Sequence, residues 1–167
     1  MKIVLVLDNI RSTYNVGAIL RTAEGFGVLE VVLSGYTPRV HDVNLLPHLR
    51  EKLDHEIHKT ALGAEDLLRI YSSDDIILDL EKYKKQGYQI LGLENNIQGT
   101  VLLGSKELRE KLGEKVVLVL GEEVNGISEA LRKEIDLFIE IPMKGKKESF
   151  NVSVATGIAL YGLSVIE

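Results

Sequence analysis

Two glycine-bearing turns stand close together near the C-terminus, Leu120-Gly121-Glu122-Glu123-Val124-Asn125-Gly126 and Ile141-Pro142-Met143-Lys144-Gly145, and Ser149-Phe150-Asn151-Val152-Ser153 follows as the opening of an apolar run. Each turn comes after β-branched or aliphatic residues, Val116 to Leu120 and Leu137 to Ile141. Both therefore fall where buried strands end and backbone amides and carbonyls come free, which is where α/β proteins collect ligands. Gly121 would let a ligand approach bare backbone, and the carboxylate of Glu122 or Glu123 could accept a hydrogen bond from a hydroxyl, an amine or an arginine. A plain Asn125-Gly126 turn followed by a Ser128 helix cap explains most of the same residues.

A second constellation lies near the N-terminus, where the polar loop Asn9-Ile10-Arg11-Ser12-Thr13-Tyr14-Asn15 runs into Val16-Gly17-Ala18-Ile19-Leu20-Arg21-Thr22-Ala23. Asn15 would cap this helix. Ala18, Leu20, Ala23 and Phe26 leave little polar surface around Arg21, which argues for an inward guanidinium able to grip phosphate or carboxylate in a bidentate fork. A capped helix with a solvated arginine accounts for the same spacing. Lys144, Lys146 and Lys147 form the densest basic patch of an acidic chain, able to dock a phosphate backbone or simply to solvate a loop. His41, His48 and His55 stand seven apart and His58 follows three later. This imitates metal-ligand spacing, yet no cysteine supports it and the intervening residues are charged, so no metal is expected. Neither a Gly-x-Ser-x-Gly elbow nor a Gly-x-Gly-x-x-Gly fingerprint occurs.

The elements that must position these residues alternate. Strand-like runs at Ile3 to Leu7, Leu29 to Leu33, Tyr88 to Leu93, Val116 to Leu120 and Phe138 to Ile141 are separated by helical patterns at Val16 to Gly25, Asn44 to Leu53, Asp74 to Gln86, Ser128 to Glu134 and Asn151 to Ile166. This predicts an α/β fold, a mostly parallel sheet with helices on both faces. Residues 54 to 72 read equally as helix or loop. With 167 residues, 45% of them hydrophobic, and no repeat or linker, the chain fits a single domain. The absence of cysteine fits a reducing cytoplasm, and neither a signal peptide nor a membrane span is legible. A net charge of -5 argues against gripping nucleic acid by bulk electrostatics, so a polyanion would need a local patch.

Taken in order, Asn15-Val16-Gly17-Ala18-Ile19-Leu20-Arg21, Leu120-Gly121-Glu122-Glu123-Val124-Asn125-Gly126-Ile127 and Ile141-Pro142-Met143-x-Gly145 with Ser149-Phe150-Asn151-Val152-Ser153 resemble the three motifs of the SpoU (TrmH-like) RNA ribose 2'-O-methyltransferases of the SPOUT class. The resemblance spans essentially the whole chain. It implies a sheet whose C-terminal part is tied in a deep trefoil knot, although general topology rules argue against knots. It implies S-adenosylmethionine as methyl donor, held by Leu93, Gly121, Ile141, Met143 and Ser149, and a tRNA or rRNA ribose as acceptor. Arg21 would be the base or a phosphate clamp, with Asn15, Glu123, Ser149 and Asn151 completing the catalytic set. Arg11, Lys144, Lys146 and Lys147 would contact RNA. The resemblance further implies a homodimer in which Arg21 serves the partner's donor pocket. The chain starts at the first catalytic-domain strand, so no separate RNA-binding extension is expected. Glu122 stands where a small residue is common. Two rival readings are a knotted RNA-binding module without activity and a generic nucleotide-binding α/β protein, which would have no need of Arg21.

Overall fold

The computed structural model describes residues 1–165. Strands β1 (Lys2–Asp8), β2 (Glu30–Ser34), β3 (Ile70–Ser72), β4 (Gln89–Leu93), β5 (Val101–Leu102), β6 (Lys115–Leu120) and β7 (Leu137–Glu140) form one sheet in the order β3-β2-β1-β6-β4-β7-β5. Every pairing between them is parallel. The helices are α1 (Thr13–Gly25), α2 (Pro47–Ala61), α3 (Ala64–Leu67), α4 (Ile76–Lys85), α5 (Lys106–Lys111), α6 (Glu129–Arg132) and α7 (Val152–Ser164). The expected α/β class and parallel sheet are present. The predicted end of the last helix at Ile166 lies outside the described residues.

The continuous apolar runs of β1 and β6 follow from burial on both faces. Ile3, Leu5, Leu7, Val116, Leu118 and Leu120 pack with α1, α2 and α7 residues, whereas Val4, Val6, Val117 and Val119 pack with Leu80 of α4 and Leu131 of α6. Period-two alternation thus serves two separate cores, one on each side of the sheet.

Two expected boundaries are corrected. Ser12, not Asn15, caps α1: its backbone is extended and its hydroxyl accepts the Asn15 amide at 3.2 Å. The helix therefore begins earlier than expected, and the Asn15 side chain is free for other partners. The second helix starts at Pro47, whose fixed φ suits a first helical turn, and continues to Ala61 because Ile57 and Ala61 extend its buried row. The ambiguous residues 54–72 resolve into the end of α2, a left-handed turn at Leu62 and Gly63, α3 and β3.

Gly17 shows why the first motif needs a glycine. A Cβ there would overlap Thr60 Oγ1 and the Ile57 carbonyl and lie 3.0 Å from the Ala61 amide, so α1 and α2 touch backbone to backbone. Gly17→Ala should destabilise the fold by about 1–3 kcal/mol through overpacking. Urea unfolding checks this.

The connection from β2 to α2 is clasped by His41. Its amide donates to Asp54 Oδ1 at 2.8 Å, and its ring nitrogens meet Asp54 Oδ2 at 3.0 Å and Asp66 Oδ1 at 3.2 Å. Hydrogen bonding to Asp54, then to Asp66, raises the imidazole pKa above its ordinary value. A raised histidine pKa stabilises the fold fully below the unfolded value of about 6.5, and that contribution is lost as pH climbs through the folded value. The stability gap between wild type and His41→Ala should therefore be widest below about pH 6.5 and narrow above it. Thermal melts across a pH series measure this gap.

Candidate functional site

At the C-terminal ends of β4, β6 and β7 the sheet opens into a cavity of about 460 Å³. Its wall is made by Leu93 to Asn96 after β4, Leu120 to Gly126 after β6, Ile141 after β7 and Glu148 to Val152 leading into α7. Four glutamates line it, Glu94, Glu122, Glu123 and Glu148, with no lysine or arginine among the lining residues. Such a lining suits a ligand that carries positive charge and presents polar edges to backbone groups.

The turn after β6 is held by its own backbone. A Cβ on Gly121 would overlap the carbonyl of Gly126 and the amide of Ile127, so this glycine admits the returning chain rather than a ligand atom. Gly126 takes φ +67°, and a Cβ on it would meet the Glu94 carboxylate. Glu94 Oε2 accepts the Ile127 amide at 2.8 Å, and Arg132 Nε donates to the Ile127 carbonyl at 2.8 Å. Asn95 Nδ2 donates to the carbonyls of Glu148 at 3.0 Å and Ile141 at 3.3 Å, joining the loops after β4 and β7.

A chain of amides links the cavity to α1. Asn15 Nδ2 donates to Glu123 Oε1 at 2.9 Å, and Asn151 Nδ2 donates to Asn15 Oδ1 at 3.2 Å. Asn151 also caps α7, its Oδ1 accepting the Ser153 amide at 2.9 Å. Residues far apart in sequence thus meet through Asn15, whose side chain is released for this because Ser12 caps the helix. Glu122 faces the other way, accepting the Tyr36 hydroxyl and the Asn125 amide, with Arg11 Nη2 at 3.9 Å. The Tyr36 hydrogen bond is the main cause holding the Glu122 carboxyl below its ordinary pKa.

Of the residues singled out in the sequence, Leu93, Gly121, Glu123, Ile141, Ser149 and Asn151 line the cavity and Asn15 adjoins it. Met143 is half-buried and is not among the lining residues. Lys144, Lys146, Lys147 and Arg11 are exposed. Arg21 is exposed as well, which corrects the expected inward guanidinium: Val16, Ile19, Leu20 and Ala23 occupy the buried stripe of α1. Arg21 shares the outer stripe with Tyr14 and Ala18 instead. Among the described residues no group of three or more His, Cys, Asp or Glu is placed to hold a metal. His58 pairs with Glu65 at 2.6 Å and His41 with its two aspartates. Sequence reasoning missed Glu94, Asn95 and Tyr36. The polar run Glu94-Asn95-Asn96, directly after the buried β4, was the available signal.

The model of the SpoU rRNA Methylase family matches residues 2–161. The chain is 34% identical over 159 residues to the 23S rRNA (guanosine-2'-O-)-methyltransferase RlmB of Xanthomonas axonopodis pv. citri, covering 95% of this chain and 57% of that protein. It is 35% identical to the protein of the same name from Nitrosomonas europaea, with coverages of 95% and 54%. The chain thus spans little more than half the length of these relatives. Among solved structures it resembles the TrmH/SpoU tRNA modifying enzyme of A. aeolicus at TM-score 0.78 and 27% identity, covering 98% of this chain and 74% of that one. It shares its fold with an AdoMet-bound rRNA methyltransferase from Sinorhizobium meliloti at TM-score 0.77 and 23% identity, covering 96% and 55%.

Glu94→Ala removes the acceptor of the Ile127 amide while leaving Gly121 and Gly126 in place. The Ile127 amide should then exchange with deuterium about tenfold faster, a loss of roughly 1–2 kcal/mol of local stability. Residue-resolved hydrogen exchange tests this against the unaffected β1 amides.

Proposed function

The chain belongs to the SpoU rRNA methylase family, and from that membership we propose that it methylates a ribose 2'-hydroxyl in structured RNA, tRNA or rRNA, with S-adenosylmethionine as donor. The observation that carries this reading is the joining of the three motif loops around one strand-end cavity through Asn15, Glu123 and Asn151. The names of the relatives and the AdoMet bound by the Sinorhizobium meliloti enzyme support it.

The donor set of the cavity fits the proposed cofactor. Backbone groups of Leu93, Gly121, Ile141 and Ser149 would take the polar edges of an adenosine, and the carboxylates of the lining complement a sulfonium and an ammonium. When bound, S-adenosylmethionine supplies a methyl group made electrophilic by its sulfonium. The protein's own tasks are then to align the hydroxyl and to handle its proton. Asn15 and Glu123 would orient the ribose, and Ser149 and Asn151 would close the pocket. Arg21 is assigned to hold a phosphate and stabilise charge on the reacting oxygen, because a guanidinium stays protonated.

Arg21, exposed on the outer face of α1, would serve the donor pocket of a second protomer. Support comes from the outer faces of α1 and α7, where Tyr14, Val154, Tyr161 and Val165 are exposed, Tyr161 by 61%. A homodimer that buries this apolar face would carry Arg21 to the partner's cavity. The described residues are read as one domain. The strand order supports a C-terminal trefoil knot, since β6 lies between β1 and β4, and β7 between β4 and β5, although each follows both of its neighbours in the sequence. Among the described residues no helix is long and apolar enough to cross a membrane. A cytoplasmic setting, where RNA and donor coexist, completes the proposal.

Arg21→Ala should keep donor affinity within about twofold by calorimetry and lower methyl transfer by about 100-fold or more. Mass spectrometry of ribose-methylated nucleosides, with RNA taken from cells with and without the gene, supplies the substrate. Undiminished activity of the variant refutes the role of Arg21, and a wild-type protein that fails to bind S-adenosylmethionine refutes the function.

A further inference from the structure

Arg11 is an exposed arginine on an unusually well-built support. The Ile10 amide donates to Thr37 Oγ1 at 3.0 Å, and Thr37 Oγ1 donates to the Leu7 carbonyl at 2.9 Å, both in buried surroundings. These bonds stitch the loop after β1 to the loop after β2. The Tyr36 amide donates to Asn9 Oδ1 at 3.2 Å, and Asn9 Nδ2 donates to the buried Asp8 at 3.0 Å. Gly35, at φ +60°, is forced by the Asn9 side chain, which a Cβ would overlap. On this base the Arg11 guanidinium lies over the Tyr36 ring, 5.2 Å from its centroid. Glu122 sits at 3.9 Å from its Nη2, and the Tyr36 hydroxyl and the Asn125 amide fix that carboxylate in turn.

The result is asymmetric. The Glu122 side chain is only 12% exposed while that of Arg11 is 74% exposed. One side of the guanidinium is backed by an aromatic ring and the rest is open to solvent. An arginine that served only as a phosphate clamp would need no carboxylate beside it, since that carboxylate competes with the phosphate for the in-plane N–H groups, and a ring beneath it would add nothing to that grip. A planar cation supported from below is what stacks an unpaired nucleobase.

We propose that Arg11, backed by Tyr36 and oriented by Glu122, is a stacking platform for an unpaired RNA base beside the cavity. The inference rests on the reading of that cavity as an RNA methyl-transfer site, and it names the part of the RNA that this rim takes. Glu122 and Tyr36 are positioning residues that act through Arg11.

The test uses two probes of equal charge on the full chain: a fluorescent heptaadenylate, and a heptamer in which every base is replaced by a tetrahydrofuran spacer. Wild-type protein should bind the base-bearing probe about tenfold more tightly, the margin expected of one stacked base. Arg11→Lys keeps the charge and loses the plane, so it should abolish that margin while its affinity for the base-free probe and its salt slope stay unchanged. Tyr36→Leu should shrink the margin, and Tyr36→Phe, which keeps the ring, should restore most of it. A full margin in Arg11→Lys, or none in wild type, overturns the platform. Calorimetry with S-adenosylmethionine separates the two levels: absent donor binding with the margin intact fails the methyl-transfer reading alone, and normal donor binding without the margin fails the platform alone.

Discussion

Strand β6 is hydrogen-bonded on both sides, to β1 from Lys115 through Leu120 and to β4 from Val116 through Leu120. Among the described residues it joins the β3-β2-β1 side of the sheet to the β4-β7-β5 side, so the relative placement of the N-terminal and C-terminal motifs is set by its register. Ladder bonds on both edges leave it no freedom to slip, because a one-residue shift would turn Val117 and Val119 into the wrong core. Everything that lines the cavity on one side hangs from the residue where this strand stops. The turn that follows is folded so tightly on itself that Gly121 and the Gly126–Ile127 peptide share one space. Crowding of backbone, fixed by Glu94 from the neighbouring strand end, therefore holds Glu122 and Glu123 at their stations.

Those two glutamates divide the labour of one turn. Glu123 turns toward α1 and is met by a neutral amide, so its charge is left to act on whatever enters the cavity. Glu122 turns toward the loops after β1 and β2, where a phenol and an amide donate to it and a guanidinium lies within ion-pair distance. An exposed ion pair of this kind contributes little to stability. Its consequence is orientation, since the carboxylate fixes where a long flexible side chain points. The carboxylate-lined cavity and the cationic rim are thereby kept apart by adjacent residues of one loop.

Much of the fold was legible because its long buried strands are written as runs of Val, Leu and Ile. β1, β2, β4, β6 and β7 were located to within a residue or two for this reason. β3 and β5 are only three and two residues long, too short for any periodicity to register. The α1 cap was misread because Ser12 and Asn15 are both good caps, and only backbone conformation distinguishes them. The site was legible as a set of turns, but the role of its glycines was not. Gly121 was a candidate for ligand approach, and it turns out, like Gly17, to admit another stretch of the same chain. Glu94 and Asn95 were missed because their targets are backbone groups, which carry no mark in sequence.

The exposure of Arg21 and the apolar outer surface of α7 have one origin in the geometry of α1. That helix has its buried stripe on the sheet, Gly17 pressed to α2 on one flank and Thr22 facing Gly157 of α7 on the other. With three sides of the helix committed, only an outward stripe is left for Tyr14, Ala18 and Arg21. Val154 and Tyr161 of α7 and its cap residue Val165, at helical spacing, are exposed. Asn15, six residues earlier, projects about 120° around the helix from Arg21 and toward Glu123. One face of α1 thus adjoins the cavity through Asn15, while another carries Arg21 outward. This divergence, together with the exposed apolar residues of α7, marks the surface that the proposed second protomer would use.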